Sequence, residues 1–170
     1  MGVDVGHFSS FPCQIMPVKY PGQLLPAFGF GSVGLGLATG IGVSVAYPDQ
    51  TVVVVVGDGG MLMSLGELDS VARAGRRMLI VVMNDAAYGA EVHHLRHHGL
   101  PTDVAEFARI DFHAVAKAFG IDGRSVRTKD DLVALEGLGS IEKPMLIDVR
   151  MNPAVVSDRF QRLAAPAPRV

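Results

Sequence analysis

The 170-residue chain is 49% apolar and 19% charged, the balance of one globular domain with a substantial core. A formal net charge of -2 without a long basic run excludes an electrostatic footprint for DNA, RNA or an anionic membrane surface. Cys13 is the single cysteine, which excludes an intrachain disulfide framework and a multi-cysteine zinc site; with no run of roughly 18 apolar residues, a cytoplasmic protein is expected.

In chain order, Val3, Asp4 and Val5 read as a strand fragment starting directly after Met1, so the chain is expected to be a piece of something longer or a subunit. Residues 7 to 31 are rich in proline and glycine and read as loop, with a short strand around Gln14 to Val18. From Val33 to Tyr47 small and apolar residues recur at helical spacing, and Pro48-Asp49 ends the element. Thr51 to Val56 is a β-branched run without polar alternation, as in a strand buried on both faces of a parallel sheet. Met61 to Ala74 reads as one helix stopped by Gly75, and Met78 to Met83 as a second buried strand. The spacing further predicts a helix over Phe112 to Phe119, a short strand at Ser125 to Arg127, a short helix over Lys129 to Leu135 and a last strand at Met145 to Val149. Strand and helix alternate throughout, so the fold class is α/β, three layers with a mostly parallel central sheet, in one domain over residues 1 to 160 followed by a tail over 161 to 170.

In open parallel sheets ligands bind beyond the carboxyl ends of the strands, and Gly57-Asp58-Gly59-Gly60 lies where the valine-rich strand ends and a helix begins. Gly59 and Gly60 have no Cβ to block the approach of a phosphate, whereas Asp58 alone would repel one. A hard cation bridging the two resolves the conflict, because Mg²⁺ takes carboxylate and phosphate oxygens together. The second strand ends at Asn84-Asp85, which a βαβ unit brings beside Asp58, and the loop Ala86-Ala87-Tyr88-Gly89 can add a backbone carbonyl.

This pair of strand ends resembles the signature of the thiamine-diphosphate-dependent enzymes, a Gly-Asp-Gly followed downstream by Asn-Asn or a close variant. Here it stands as GDGGMLMSLGELDSVARAGRRMLIVVMNDAAYG, and the likeness runs from the VDVGHF opening through GFGSVGLGLATGIG to the final PMLIDVR. The texture is closest to the acetolactate-synthase-like branch and its 2-oxo acid decarboxylase relatives. The resemblance implies that Asp58, Asp85 and the carbonyl of Ala87 ligate Mg²⁺, which holds the diphosphate of thiamine diphosphate against Gly57, Gly59 and Gly60. Asp85 departs from the family's usual asparagine and adds a negative charge at the metal. Asn84 would bind the diphosphate or pin the loop, and Tyr88 would pack the loop. Val33 would press between the cofactor's two rings, beside Ser32, and the carbonyl of Gly31 would accept from its exocyclic amine. His7 and Phe8 occupy a loop that reaches the diphosphate in relatives. The activating glutamate is expected on a separate pyrimidine-binding domain or subunit, so no catalytic residue is assigned here. The complete enzyme would be a homo- or hetero-oligomeric lyase or transferase acting on a small 2-oxo acid, and this chain would be inactive alone. An exposed apolar face around Gly31 to Ile41 is expected to meet that partner.

Two motifs compete with this reading. Gly29-Phe30-Gly31-Ser32-Val33-Gly34 fits the dinucleotide GxGxxG pattern, but it follows a proline-rich loop and lacks the acidic residue expected at a second strand end, and a nucleotide-binding or non-catalytic module is the alternative it leaves open. His93, His94, His97 and His98 form two pairs at i, i+4 spacing that would suit zinc on a helix, although Gly99 and Pro101 argue against a helix there.

Overall fold

The computed structural model describes residues 1–138, 140–158, 160 and 161. Six strands form one sheet: β1 (Gly2–Val3), β2 (Leu25–Pro26), β3 (Val52–Gly57), β4 (Met78–Asn84), β5 (Asp122–Val126) and β6 (Met145–Arg150). Their order is β2-β1-β3-β4-β6-β5, and every pairing is parallel. The helices that connect them among the described residues are α1 (Ser10–Ile15), α2 (Gly36–Ala46), α3 (Asp58–Met63), α4 (Glu67–Ala74), α5 (Gly89–His97), α6 (Phe112–Ala118) and α7 (Lys129–Val133). The α/β architecture read from the sequence is the observed one. The tail reading falls mostly on residues 162–170, outside the described residues.

The core lies mainly on one face of the sheet. Val52, Val54 and Val56 of β3 and Met78, Ile80 and Val82 of β4 point into it, against Leu37 of α2, Met61 of α3, Leu68 and Val71 of α4, and Phe112 and Ala116 of α6. Each such side chain, fully buried, stabilises the fold by about 1.5–3 kcal/mol. The opposite face is only half-buried, with Val53, Val81 and Met83 packed against a smaller cluster of Val3, Phe8 and Val55. The apolar strands therefore alternate in depth of burial, which their uniform composition does not reveal.

Three local expectations are corrected. The helix expected over Met61 to Ala74 is two helices, α3 and α4, separated by a turn over 64–66. The Ser64 hydroxyl donates back to the Gly60 carbonyl at 2.9 Å, and Gly66 caps α4, so the polar residue and the glycine break a run whose apolar spacing continues. The strand expected around Gln14 to Val18 is absent; Ser10–Ile15 is helical, with Pro12 in the first turn, where its missing N–H costs nothing. The segment Gly89–His97 is a helix, since Gly99, at φ 67°, lies beyond its end and stops it without preventing it.

Candidate functional site

Because the sheet is parallel, β1, β3, β4 and β6 deliver the residues after their last positions to one edge. The chain runs outward from β1 to β2 in one direction and to β3 and β4 in the other, so the crevice between β1 and β3 is the topological switch point where such folds bind ligands. Asp4, Asp58, Asp85 and Met151 follow those four strand ends directly or within a residue.

Asp58 is 1% exposed and opens α3. Its carboxylate accepts from the Gly59 N–H at 2.9 Å and from the Ala86 N–H at 2.6 Å, so it ties the end of β3 to the loop after β4. Burial first, and the facing Asp85 second, push its carboxyl up to about 7. Burial also raises Asp85, against the pull of the Asp85 and Ala87 amides, and the two carboxyl groups hydrogen-bond one another. One acid buried and the other half-buried, the two disfavour each other's charged form, and a cation between them would relieve that. The third ligand expected from the sequence is the Ala87 carbonyl. Ala87 faces Glu106 in an isolated antiparallel bridge whose flanking bonds run from Tyr88 N–H to the Ala105 carbonyl, 2.8 Å, and from Phe107 N–H to the Ala86 carbonyl, 3.0 Å. The residue between two such bonds turns its own C=O away from the partner segment.

Glycines let neighbouring side chains approach the backbone closely around Asp58. A Cβ on Gly59 would enter the Tyr88 ring, one on Gly60 would meet the Asp4 carboxylate, and one on Gly57 would press on Phe8 at 2.9 Å. Tyr88 also packs edge-on against Phe107, ring centroids 5.5 Å apart. The resulting cavity, about 110 Å³, is lined by His7, Phe8, Val33, Gly57, Asp58, Gly59, Gly60, Asp85, Ala87 and Tyr88 among the residues singled out from the sequence, together with Met83, Met151 and Val155.

The remaining sequence-derived residues stand elsewhere or act otherwise. Asn84 is fully buried and its Nδ2 donates to the Ile110 carbonyl at 2.9 Å and to Asp148 at 2.8 Å, so its side chain ties the end of β4 to the segment before α6 and to β6. Gly31 and Ser32 are exposed; Gly31 has φ 62°, and the Ser32 hydroxyl donates to the Val33 carbonyl at 3.2 Å. Phe8 is buried beneath Gly6 and Gly57. His7 accepts the Ser157 N–H on Nε2 at 2.8 Å and packs against His93 with ring centroids 4.5 Å apart and planes tilted by 56°; burial, then His93, lowers it to about 4. His94, His97 and His98 pack ring against ring, and no group of three acids, histidines or cysteines among the described residues can hold a metal ion.

Two supporting acids went unassigned in the sequence reading. Asp4, fully buried, accepts from the Gly34 N–H at 2.9 Å and the Gly36 N–H at 3.1 Å, and so anchors the loop that carries Val33. Asp148, fully buried in β6, accepts from Asn84 and Phe112 N–H and pairs with Arg150 at 3.3 Å. Asp4 stands between two valines directly after β1 and Asp148 interrupts the apolar run of β6, which is the signal that marks them.

Comparison with known proteins agrees with this geometry. Residues 4–149 match the family model described as thiamine pyrophosphate enzyme, C-terminal TPP binding domain. The chain is 30% identical over 155 residues to the acetolactate synthase isozyme 1 large subunit of Escherichia coli, covering 88% of this chain and 27% of that one. It is 29% identical over 168 residues to the acetolactate synthase of Bacillus subtilis, covering 98% of this chain and 29% of that one. The chain thus spans under a third of the length of these relatives. Among solved structures, the thiamine diphosphate-dependent 4-hydroxybenzoylformate decarboxylase of Rhodococcus jostii RHA1 superposes with a TM-score of 0.78 at 26% identity, covering 88% of this chain and 29% of that one. A parallel sheet with paired acids at the adjacent ends of β3 and β4, beside its switch point, matched to that family model over residues 4–149, makes this chain a C-terminal thiamine-diphosphate-binding domain of the thiamine pyrophosphate enzymes.

Proposed function

We propose that this domain holds the diphosphate of thiamine diphosphate through Mg²⁺, liganded by Asp58, Asp85 and the Ala87 carbonyl, as one half of an acetolactate synthase-like or 2-oxo acid decarboxylase-type enzyme. The observation that carries the reading is the Asp58–Asp85 pair, a buried and a half-buried carboxyl group that meet from adjacent strand ends. A hard divalent cation supplies a countercharge, and carboxylates with a carbonyl and phosphate oxygens are its usual ligands. Asp85 in place of the asparagine expected from the family makes the site one charge more negative.

When bound, the cofactor would supply a carbon nucleophile and electron sink for cleaving or forming a carbon–carbon bond next to a carbonyl. The chain's own residues bind and orient. Gly57, Gly59 and Gly60 offer backbone amides to the diphosphate, Val33 buttresses the rings from a loop fixed by Asp4, and Met151 and Val155 line the cavity wall. A cavity of 110 Å³ is well below the roughly 300–1,000 Å³ that encloses a ligand of this size. One wall of the site is therefore here, and a pyrimidine-binding domain or subunit, bringing the activating glutamate, supplies the other, within a homo- or hetero-oligomer that takes a small 2-oxo acid. No turnover is expected from the chain alone.

The test is a thermal-shift titration of the chain with thiamine diphosphate, with and without Mg²⁺, beside an Asp58→Ala variant. A saturable, Mg²⁺-dependent rise in Tm that the variant loses is the expected result. A rise of equal size in the variant would refute the metal site.

A further inference from the structure

Ala86 is one of two described non-glycine residues in the left-handed region, at φ 64°; the other, Phe30, is fully exposed at a loop. An alanine stays there only where its surroundings hold it. Both peptide groups of Ala86 are held. Its N–H donates to Asp58 Oδ2 at 2.6 Å, and its carbonyl accepts the Phe107 N–H at 3.0 Å. The next residue, Ala87, is fixed by the bridge to Glu106 and by the Tyr88 N–H on the Ala105 carbonyl.

We propose that Ala86 is a positioning residue: clamped in a left-handed conformation between Asp58 and the 105–107 segment, it aims the Ala87 carbonyl at the two carboxyl groups before any cation arrives. This rests on the reading of Asp58, Asp85 and Ala87 as cation ligands. Rotating Ala86 into an ordinary extended or right-handed conformation would re-aim the peptide planes on either side of it. The Ala87 oxygen would then leave the side of the loop on which Asp85 lies. The 105–107 segment, which touches no reacting group, becomes the strut that sets the third ligand, and Asp58 both binds the cation and shapes the loop that completes its shell.

The test uses Tb³⁺, a hard cation with a preference for oxygen ligands, as the probe. Its emission is sensitised by Tyr88, whose ring lies against Gly59 in the same cavity. The chain has three tyrosines and no tryptophan, and Tyr20 and Tyr47 line a separate cavity, so the signal reports this site. Wild type is expected to give saturable emission that Asp58→Asn abolishes. Ala86→Val, β-branched and barred from the left-handed region, is expected to weaken Tb³⁺ binding roughly 10- to 100-fold with an unchanged far-UV circular dichroism spectrum. Ala86→Gly, which adopts that conformation freely, is expected to bind as wild type does. Wild-type affinity in a folded Ala86→Val variant overturns the proposal while leaving the cation site standing. Absent emission in wild type, or equal emission in Asp58→Asn, refutes the site reading and the proposal with it. Should Ala86→Val not fold, Phe107→Pro, which removes the N–H clamping Ala86, decides against Phe107→Ala, which keeps it. Tighter binding by the alanine variant supports the clamp, and equal binding overturns it.

Discussion

Asp58 is nearly inaccessible to water and faces a second acid, so its ionised form is the costly one. Its folded-state value, about 7, lies above the ordinary 3.8, and its contribution to stability is fully present below 3.8 and lost as pH rises through about 7. Without cation, Asp58→Asn is therefore expected to gain Tm relative to wild type as pH rises from about 4 to about 7; a difference independent of pH, measured by differential scanning calorimetry, would contradict the raised value of Asp58. His7 carries the opposite sign. Its value falls from 6.5 to about 4, so its neutral form contributes stability above 6.5 that is lost as pH falls through 4. Replacing it by alanine removes the acceptor of the Ser157 N–H and is expected to cost about 1 kcal/mol and speed exchange of that amide, read by hydrogen-exchange mass spectrometry.

Helix α2 shows how an element is seated by what it lacks. A Cβ on Gly40 would overlap Val54 of β3, while one on Gly42 would meet nothing. Gly40→Ala is expected to destabilise the domain by about 1–3 kcal/mol in urea denaturation. Gly42→Ala is expected to leave it unchanged or stabilise it by up to about 1 kcal/mol through helix propensity. Equal effects would mean that α2 does not ride on β3 as closely as described. The same close approach brings the start of α2 to the Asp4 carboxylate, which holds the Gly34 and Gly36 amides and with them Val33.

Across the whole molecule, Phe28, Phe30, Leu35, Leu62 and Met63 are exposed, and Met63 abuts Gly34 on the loop beside the cavity. Ile41, expected on that face, instead packs against the core. Exposed apolar surface beside an incomplete site suits association with the missing half of the site or with another copy of the chain. Sedimentation velocity of the isolated chain is expected to show concentration-dependent association that Phe30→Asp weakens. A strictly monomeric wild type would count against this surface as a self-contact.

What the amino-acid sequence determined by itself is local chemistry at known positions. The alternation of strands and helices, the glycine-flanked Asp58 and the Asn84-Asp85 pair one strand later sufficed for the α/β class and for the candidate ligands, because residue type and spacing are one-dimensional properties. The tertiary structure decided everything that depends on direction. It placed Asn84 inward, onto Asp148 and Ile110, and Asp85, one residue on, toward Asp58. It made one face of the valine strands core and left the other half-covered, although composition does not distinguish the two. It split one apolar stretch at Ser64, occupied His7 with Ser157, and bent the backbone at Ala86. Apart from the local break at Ser64, these outcomes depend on partners 26 to 150 residues away or on a backbone angle that alanine rarely adopts. No periodicity along the chain records them, since they arise only once the sheet has brought its strand ends together.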